Sequence, residues 1–432
     1  MKKLNIAIVG LGNIGSYLFK YLKKNKKILA KKNNCIPNIL YVSAKNKKRN
    51  RGFKINKKIW LNNFLDATKN KNVDLIIELI GGAEGPAKKL VFNALKNKKH
   101  VVTANKALIA KYGDQLSKIA EKNKVNLEFE ASVCGGVPII RSLKEGLIAN
   151  KISKVFGIFN GTSNYILSSM DKENKSFEEV LDKAKKLGYA ESNPSADLNG
   201  DDVAAKLKIL SSLCFNSFLN RNIHVEGIKN IDKEDVKYAR RLGYKIKLLG
   251  YAELIGKNIF QRVHPTLIKD SSYVGSIDGV LNAVIIDGNP VGQSIIQGEG
   301  AGPAATTSAL VSDISSILRG NIKFPFSISN KERKSLNFKK ISERFFSAYF
   351  RFDVIDKPGV LSEVSSILRD HGLSIASMIQ NEQSDDGSVF LVLTTHKCAK
   401  NDIESAAIQI GDFEYVLGAP ILIPIYDSGM FG

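Results

Sequence analysis

An apolar run, Leu4-Asn-Ile-Ala-Ile-Val9, breaks at Gly10-Leu-Gly12-Asn13-Ile14-Gly15 and resumes as a helix-forming segment from Ser16 to Lys27. A buried strand that turns this tightly into a helix has few backbone paths open to it, and each glycine answers one demand of a particular path. Gly10 permits the turn, Gly12 lets the backbone approach a pyrophosphate, and Gly15 lets helix and strand pack closely. Free amides at the helix start attract phosphate. The motif alone is also compatible with a plain structural turn. With strand and helix in place on either side, it predicts the first unit of a doubly wound parallel sheet that binds a dinucleotide.

The next segments continue the alternation. Asn38 to Ala44 reads as a second strand, whose end should lie beside the adenosine ribose, where an NAD-specific site usually offers an acid. Here Lys45, Lys47, Lys48 and Arg49 follow instead. That group suits a 2′-phosphate and favours NADP over NAD, although a solvated lysine cluster would read the same. Val73 to Ile80 is a strand ending in Gly81-Gly82, Pro86 to Asn97 a helix with proline in its first turn, and His100 to Ala104 a strand before Asn105-Lys106. Strands alternating with helices give a parallel sheet, with ligands at the carboxyl ends of its strands, where Gly81, Gly82, Thr103, Asn105 and Lys106 fall.

With 432 residues, 44% of them hydrophobic, the chain has room for two or three domains. Its net charge of +22 invites a nucleic-acid or membrane reading, but the excess is lysine interleaved with asparagine, as in Lys20 to Asn34, without a nucleic-acid-binding signature. Cys35, Cys134, Cys214 and Cys398 are scattered, which argues against a disulfide framework and a zinc site. No apolar signal core or membrane-length run is seen, so a soluble cytoplasmic protein is expected.

Chemistry concentrates further on. Gly188 to Lys206 packs Glu191, Asp197, Asp201 and Asp202 ahead of Lys206, and Asp201 to Phe215 has helical spacing, so Asp202 and Lys206 share a face. A lysine held among acids can exchange a proton with a substrate hydroxyl; an ordinary surface ion pair is the alternative. Val125 to Val133 reads as a strand entering the bend Cys134-Gly-Gly-Val-Pro138, where Cys134 could be an acylating nucleophile or simply part of a glycine turn. Val155 to Asn160 reads as a strand, and Gly161-Thr162-Ser-Asn164 starts a helix whose amides and hydroxyls could receive a carboxylate. Arg262-Val-His264-Pro, Asn282, and Gly298-Glu-Gly300-Ala-Gly302 precede a helix from Ala305 to Arg319, expected to return to the nucleotide domain.

The wording of these segments, GYAE, N-P-S-A-D and N-G-D-D-V-A-A-K at 188–206 with T-A-N-K-A-L-I-A at 103–110, closely resembles homoserine dehydrogenases, and the likeness runs through nearly the whole chain in order. The resemblance implies NAD(P)-dependent interconversion of L-homoserine and L-aspartate 4-semialdehyde. Lys206 is then the acid/base, with Lys106 and Asp202 in the catalytic set and Glu191, Asp197, Asp202, Asn160, Gly161 and Thr162 around the substrate. Cofactor contacts are implied at Gly10, Gly12, Asn13, Ile14, Gly15, Lys45, Arg49, Gly81, Gly82, Thr103, Lys106, Gly300 and Gly302. A sodium ion is implied at Glu130, Val133, Gly135 and Val137, mostly through backbone oxygens, and a homodimer or homotetramer is implied as the assembly. Two rivals remain open: an aspartate-semialdehyde dehydrogenase using Cys134, and a catalytically silent nucleotide- and amino-acid-sensing protein.

The carboxyl-terminal pattern is β-α-β-β-α-β, a ferredoxin-like order. D-K-P-G-V-L at 356–361 with S-I-A-S-M-I-Q at 374–380 resembles an ACT domain, which implies a small amino-acid effector, threonine foremost; Asp356 and Pro358 would equally serve to start a helix. The expected organisation is a Rossmann-type domain over 1–133 with a return helix at 303–320, an α+β catalytic and dimerisation domain over 134–325, a linker over 326–345 and an ACT-like module over 346–432. A polar linker predicts that this module can be removed without loss of folding.

Overall fold

The computed structural model describes residues 1–219, 223–338, 344–380 and 387–426. Five parallel strands form the first sheet, in the spatial order Cys35–Ser43, Lys2–Val9, Leu75–Glu78, His100–Thr103, Leu127–Glu128. Pro37 is accommodated because its strand lies at the edge of the sheet, where a missing amide breaks no ladder on the open side. Helices Asn13–Lys24, Pro86–Lys96 and Lys106–Asn123 alternate with the strands. The predicted strand over 125–133 is much shorter, pairing only Leu127 and Glu128 with Val101 and Val102. Beyond it the Glu130 amide donates to the Asp313 carboxylate at 3.0 Å, so the chain leaves the sheet for a turn of 3₁₀ helix, Glu130–Ser132.

Asp313 lies on the helix Pro303–Leu318, which returns from the far end of the chain and packs on Asn13–Lys24. Ala309, Leu310, Ile314 and Ile317 join Leu18, Phe19 and Leu22 in one buried cluster. The glycines at 300 and 302 are thereby brought to the nucleotide domain from almost two hundred residues beyond Lys106.

The second sheet runs Gly292–Glu299, Leu281–Asn289, Lys151–Ile158, Tyr244–Ile255, Asn258–Lys269, Ile421–Tyr426, Phe345–Ile355, Ser388–Thr395, Ile375–Gln380. Helices Gly161–Glu173, Asp201–Cys214 and Lys233–Arg241 pack on its amino-terminal part. The carboxyl-terminal module has the expected order, with helices Val360–Asp370 and Lys400–Gly411, but it is not a separate body. Its last strand pairs with the catalytic sheet, Ile425 opposite Leu267 and Tyr426 opposite Ile268, so the two sheets are continuous. Arg351 grips the buried Asp235 carboxylate through Nε at 2.6 Å and Nη2 at 3.1 Å, and the Tyr349 hydroxyl donates to the same group.

The segment expected to be a linker is packed as well, as far as Phe338; residues 339–343 of it lie outside the described residues. Phe326 is fully buried, and the Arg333 guanidinium lies over the Phe326 and Phe218 rings while pairing with Asp114 at 2.7 Å. Polar composition suggested a solvated tether. A single arginine whose stem and planar face bury against aromatics reverses that expectation. Among the described residues no helix is long and apolar enough to cross a membrane.

Candidate active site

At the first turn the glycines divide into two kinds. Gly10, at φ +105°, would place a Cβ 2.3 Å from the Leu79 carbonyl oxygen, and a Cβ on Gly15 would lie 2.0 Å from that of Gly10. Both are glycine because the backbone leaves no room. A Cβ on Gly12 would meet nothing within 4 Å, so that position opens to solvent at the amino end of Asn13–Lys24, a cradle suited to a pyrophosphate. Gly81 and Gly82, both at positive φ, cross the neighbouring strand end and are similarly open. They are fixed by a residue the sequence did not single out. Glu78 is fully buried and accepts from the Thr103 hydroxyl at 2.5 Å and from the Ile80 and Gly81 amides. Asn105 completes the bracket by donating to the Gly82 carbonyl at 2.7 Å.

The basic loop is also ordered from within. Arg49 donates to the Asn13 side chain at 2.9 Å, tying the loop to the glycine turn. Arg51, which motif reading passed over, donates to the carbonyls of Leu11, Asn46 and Arg49 and lies over the Trp60 ring. Lys45, Lys47 and Lys48 stay exposed.

The lysine and carboxylate set is assembled from three helix starts. Lys206, on the helix Asp201–Cys214, is buried, lies 2.8 Å from Asp202 one turn earlier and donates to the Phe159 carbonyl at 2.6 Å. Lys106, first residue of Lys106–Asn123, reaches the other Asp202 oxygen at 2.5 Å. Asn160 caps Gly161–Glu173 through its oxygen and donates its amide to both Asp197, at 2.7 Å, and Asp202, at 2.9 Å. Thr162 donates to the Tyr189 carbonyl at 2.7 Å, closing the loop over this helix start. Gly161 is required because a Cβ there would lie 2.7 Å from the Val280 carbonyl oxygen.

Electrostatics follow from the burial. Burial opposes charge on Lys206, but the attraction of Asp202 outweighs it and the ammonium is held above its ordinary pKa. Burial likewise opposes charge on Asp202, yet Lys206 and Lys106 together hold it well below the usual carboxylate range. Asp197 is pushed up, first by burial and then by the charge of Asp202. The structure therefore brings together Lys106, Asn160, Asp197, Asp202 and Lys206. It leaves Glu191 exposed on the adjoining loop, outside this hydrogen-bonded set.

Cys134 is buried, at φ +49°, with burial raising its thiol pKa above the ordinary value, the opposite of what an attacking thiolate needs. In the same bend the two Glu130 carboxylate oxygens accept from the Ile140 and Arg141 amides at 2.9 and 2.6 Å, capping the turn Ile139–Arg141, and burial pushes this carboxyl up to about 7. The Val137 carbonyl accepts from Ile139. Gly135 packs against the Gly300 carbonyl, and Gly136 donates to that of Glu299, which joins the bend to the loop before the return helix. His264 is buried, with Nδ1 at 2.7 Å from the Pro265 carbonyl and 3.0 Å from the Thr266 hydroxyl.

Comparison with known proteins agrees in order and extent. The family profile for the NAD-binding domain of homoserine dehydrogenase matches residues 10–130, that for homoserine dehydrogenase matches 138–315, and that for the ACT domain matches 348–407. Homoserine dehydrogenase of Neisseria gonorrhoeae is 37% identical over 417 residues, 95% of each chain. That of Helicobacter pylori is 37% identical over 98% of this chain and 99% of its own. The crystal structure of a homoserine dehydrogenase from Thiobacillus denitrificans superposes with a TM-score of 0.92 at 35% identity, covering 99% of both chains.

Proposed function

The chain belongs to the homoserine dehydrogenase family, oxidoreductases acting on a CH–OH group, and from that premise we propose the division of labour among its residues. The observation that carries the proposal is a buried, charged Lys206 sharing one carboxylate with Lys106 across the junction of the nucleotide and catalytic domains. The nicotinamide cofactor, when bound, supplies or accepts the hydride. Its phosphates are held at Gly10, Gly12, Asn13, Ile14 and Gly15, and Gly81, Gly82, Thr103, Gly300 and Gly302 border the rest of it; the open cradle at Gly12 supports this. NADP is the preferred form, with Arg49 and Lys45 meeting the 2′-phosphate, because the loop offers cations and no acid.

In reduction of L-aspartate 4-semialdehyde, Lys206 gives a proton to the substrate oxygen; in oxidation of L-homoserine it takes that proton back. Asp202 keeps Lys206 charged and aimed, and Lys106 offsets negative charge that develops on the oxygen. Asp197, oriented by Asn160, and Glu191 receive the substrate ammonium, while the helix start at Gly161 and Thr162 receives its carboxylate. A sodium ion at Glu130, Val133, Gly135 and Val137 is chemically compatible, since all donors are oxygens with a second lone pair, and it takes no part in these steps. The ACT domain binds threonine and lowers activity in a homodimer or homotetramer that works in threonine, methionine and isoleucine biosynthesis in the cytoplasm.

The test is direct. NADPH and NADH oxidation is followed with aspartate semialdehyde, with and without threonine. Faster turnover with NADPH and inhibition by threonine are expected; equal rates with both nucleotides, or indifference to threonine, would remove those parts. Phosphate-dependent oxidation of the semialdehyde, abolished by Cys134→Ser, would instead favour thioester chemistry.

A further inference from the structure

Lys247 stands within the strand Tyr244–Ile255 at 1% exposure, yet neither the glycine turn nor the lysine and carboxylate set uses it. An ammonium is kept in such a place only where acceptors surround it. Four do so here: the Ile277 carbonyl at 2.6 Å, Asp278 at 2.9 Å, the Asn164 side-chain oxygen at 3.2 Å and the Ser168 hydroxyl at 3.4 Å. Charge balance alone does not require it, since Asp278 is also paired with Lys172 at 3.0 Å and Lys245 at 3.2 Å. The contacts to Ile277 and Asn164 remain to be explained.

Asn164 lies in the first turn of the helix Gly161–Glu173 and is itself buried. A lysine ammonium donates and never accepts, so its contact fixes which end of the Asn164 amide is oxygen. The amide nitrogen is thereby turned to the Ile277 and Leu281 carbonyls, each at 3.2 Å. Between those two anchors the Val280 carbonyl rests on Gly161, where a Cβ would lie 2.7 Å from its oxygen. One residue past the second anchor, the Asn282 side chain lies against Gly300, where a Cβ would be 2.2 Å from the amide. Residues 277–282 therefore touch the helix start that receives the substrate carboxylate and the glycine that borders the cofactor.

We propose that Lys247 is a positioning residue for the reaction and acts through Asn164. Together they clamp residues 277–282, which fixes the carboxylate end of the substrate relative to the nicotinamide. The placement matters because a shift of about 1 Å can cost about a hundredfold in rate. Lys247 itself meets neither substrate nor cofactor. Without its ammonium the Asn164 amide is free to turn, residues 277–282 lose their anchors, and homoserine is held less tightly by its carboxylate. The proposal rests on the roles given above to Gly161, Thr162 and Gly300.

The test compares Lys247→Met, which keeps an unbranched stem and removes the ammonium, with Asn164→Leu, both in the full chain. Each should lower kcat and raise the homoserine KM at least about tenfold, the worth of one charge-assisted hydrogen bond, while the nucleotide KM changes less than about twofold. Two competitive inhibitors localise the effect. In both variants 4-hydroxybutanoate, which keeps the carboxylate, should weaken in step with homoserine, and 3-aminopropan-1-ol, which keeps the ammonium, should hold its inhibition constant. Because both residues hold the Ile277 carbonyl, the double variant should show less than the product of the two fold-changes. It replaces the polar pair by apolar groups of similar shape, and so carries the test if Lys247→Met alone does not fold. Lys172→Ser, which takes a cation from Asp278 and leaves the clamp in place, should change none of these constants. Unchanged homoserine and 4-hydroxybutanoate constants in Lys247→Met, or in the double variant where the single one does not fold, overturn the proposal while the carboxylate placement stands. So does a double variant that multiplies the two effects, or an equal shift in Lys172→Ser. If 4-hydroxybutanoate fails to compete with homoserine in the native chain, the carboxylate placement itself falls and this proposal falls with it.

Discussion

Replacing Asp202 by Asn tests the electrostatic argument most directly, because this one carboxylate holds both lysines. Lys206 lies 2.8 Å from it. At that separation and an effective dielectric of about 20, the attraction is about 6 kcal/mol. Burial alone favours neutral Lys206, so in Asp202→Asn the balance reverses and its pKa falls from the raised value of the native chain. The sign of the kinetic effect depends on direction. Aldehyde reduction needs the protonated amine, so activity is present below the Lys206 pKa and disappears as pH rises through it; in the variant this basic limb moves to lower pH. Homoserine oxidation needs the neutral amine, so activity appears as pH rises, and that acidic limb also moves to lower pH. Lost aim and lost stabilisation should additionally lower turnover about a hundredfold. The assay is kcat against pH in both directions, with NADPH binding by fluorescence as a control for folding. Limbs that stay in place in both directions would refute the claim that Asp202 sets the protonation of Lys206.

Lys206→Ala should lose at least about a hundredfold in turnover with nucleotide affinity intact; near-normal turnover removes it as the acid/base. A chain ending at Asn330 should be insoluble or should unfold at lower temperature, because it strips the strand Ile421–Tyr426 from Asn258–Lys269 and uncovers the cluster shared by Phe260, Ile268 and Phe346; a soluble, fully active truncation would show that the sheet continuity is dispensable. Arg351→Met leaves Asp235 buried and unpaired by guanidinium, and should cost about 3–5 kcal/mol in denaturant unfolding, whereas a change under about 1 kcal/mol would mark the pair as surface-like. Neutralising Lys45, Lys47, Lys48 and Arg49 together should raise the KM for NADPH more than for NADH, and an equal rise for both would make the cluster a solvated face.

The first 110 residues were legible in the sequence because their signals are local. Strand, glycine turn and helix follow one another within a few residues, and the steric demands at Gly10 and Gly15 arise from backbone close by in the turn or in the adjacent strand. Lys206 and Asp202 were legible for the same reason, being one turn apart on one helix. Their third partner was visible only as a motif. That Lys106 meets Asp202 depends on how two helices ninety-odd residues apart are packed, and so does the exclusion of Glu191 from the set. Glu78 carried no signal, since a glutamate ending an apolar strand looks like a surface residue until a neighbouring strand brings Thr103 to its carboxylate. The carboxyl-terminal module shows the limit most plainly. Its internal order follows from apolar periodicity, but whether its last strand hydrogen-bonds to Asn258–Lys269 depends on an unpaired edge formed more than one hundred and fifty residues earlier. Backbone pairing is blind to side-chain identity, and so left no mark in the sequence.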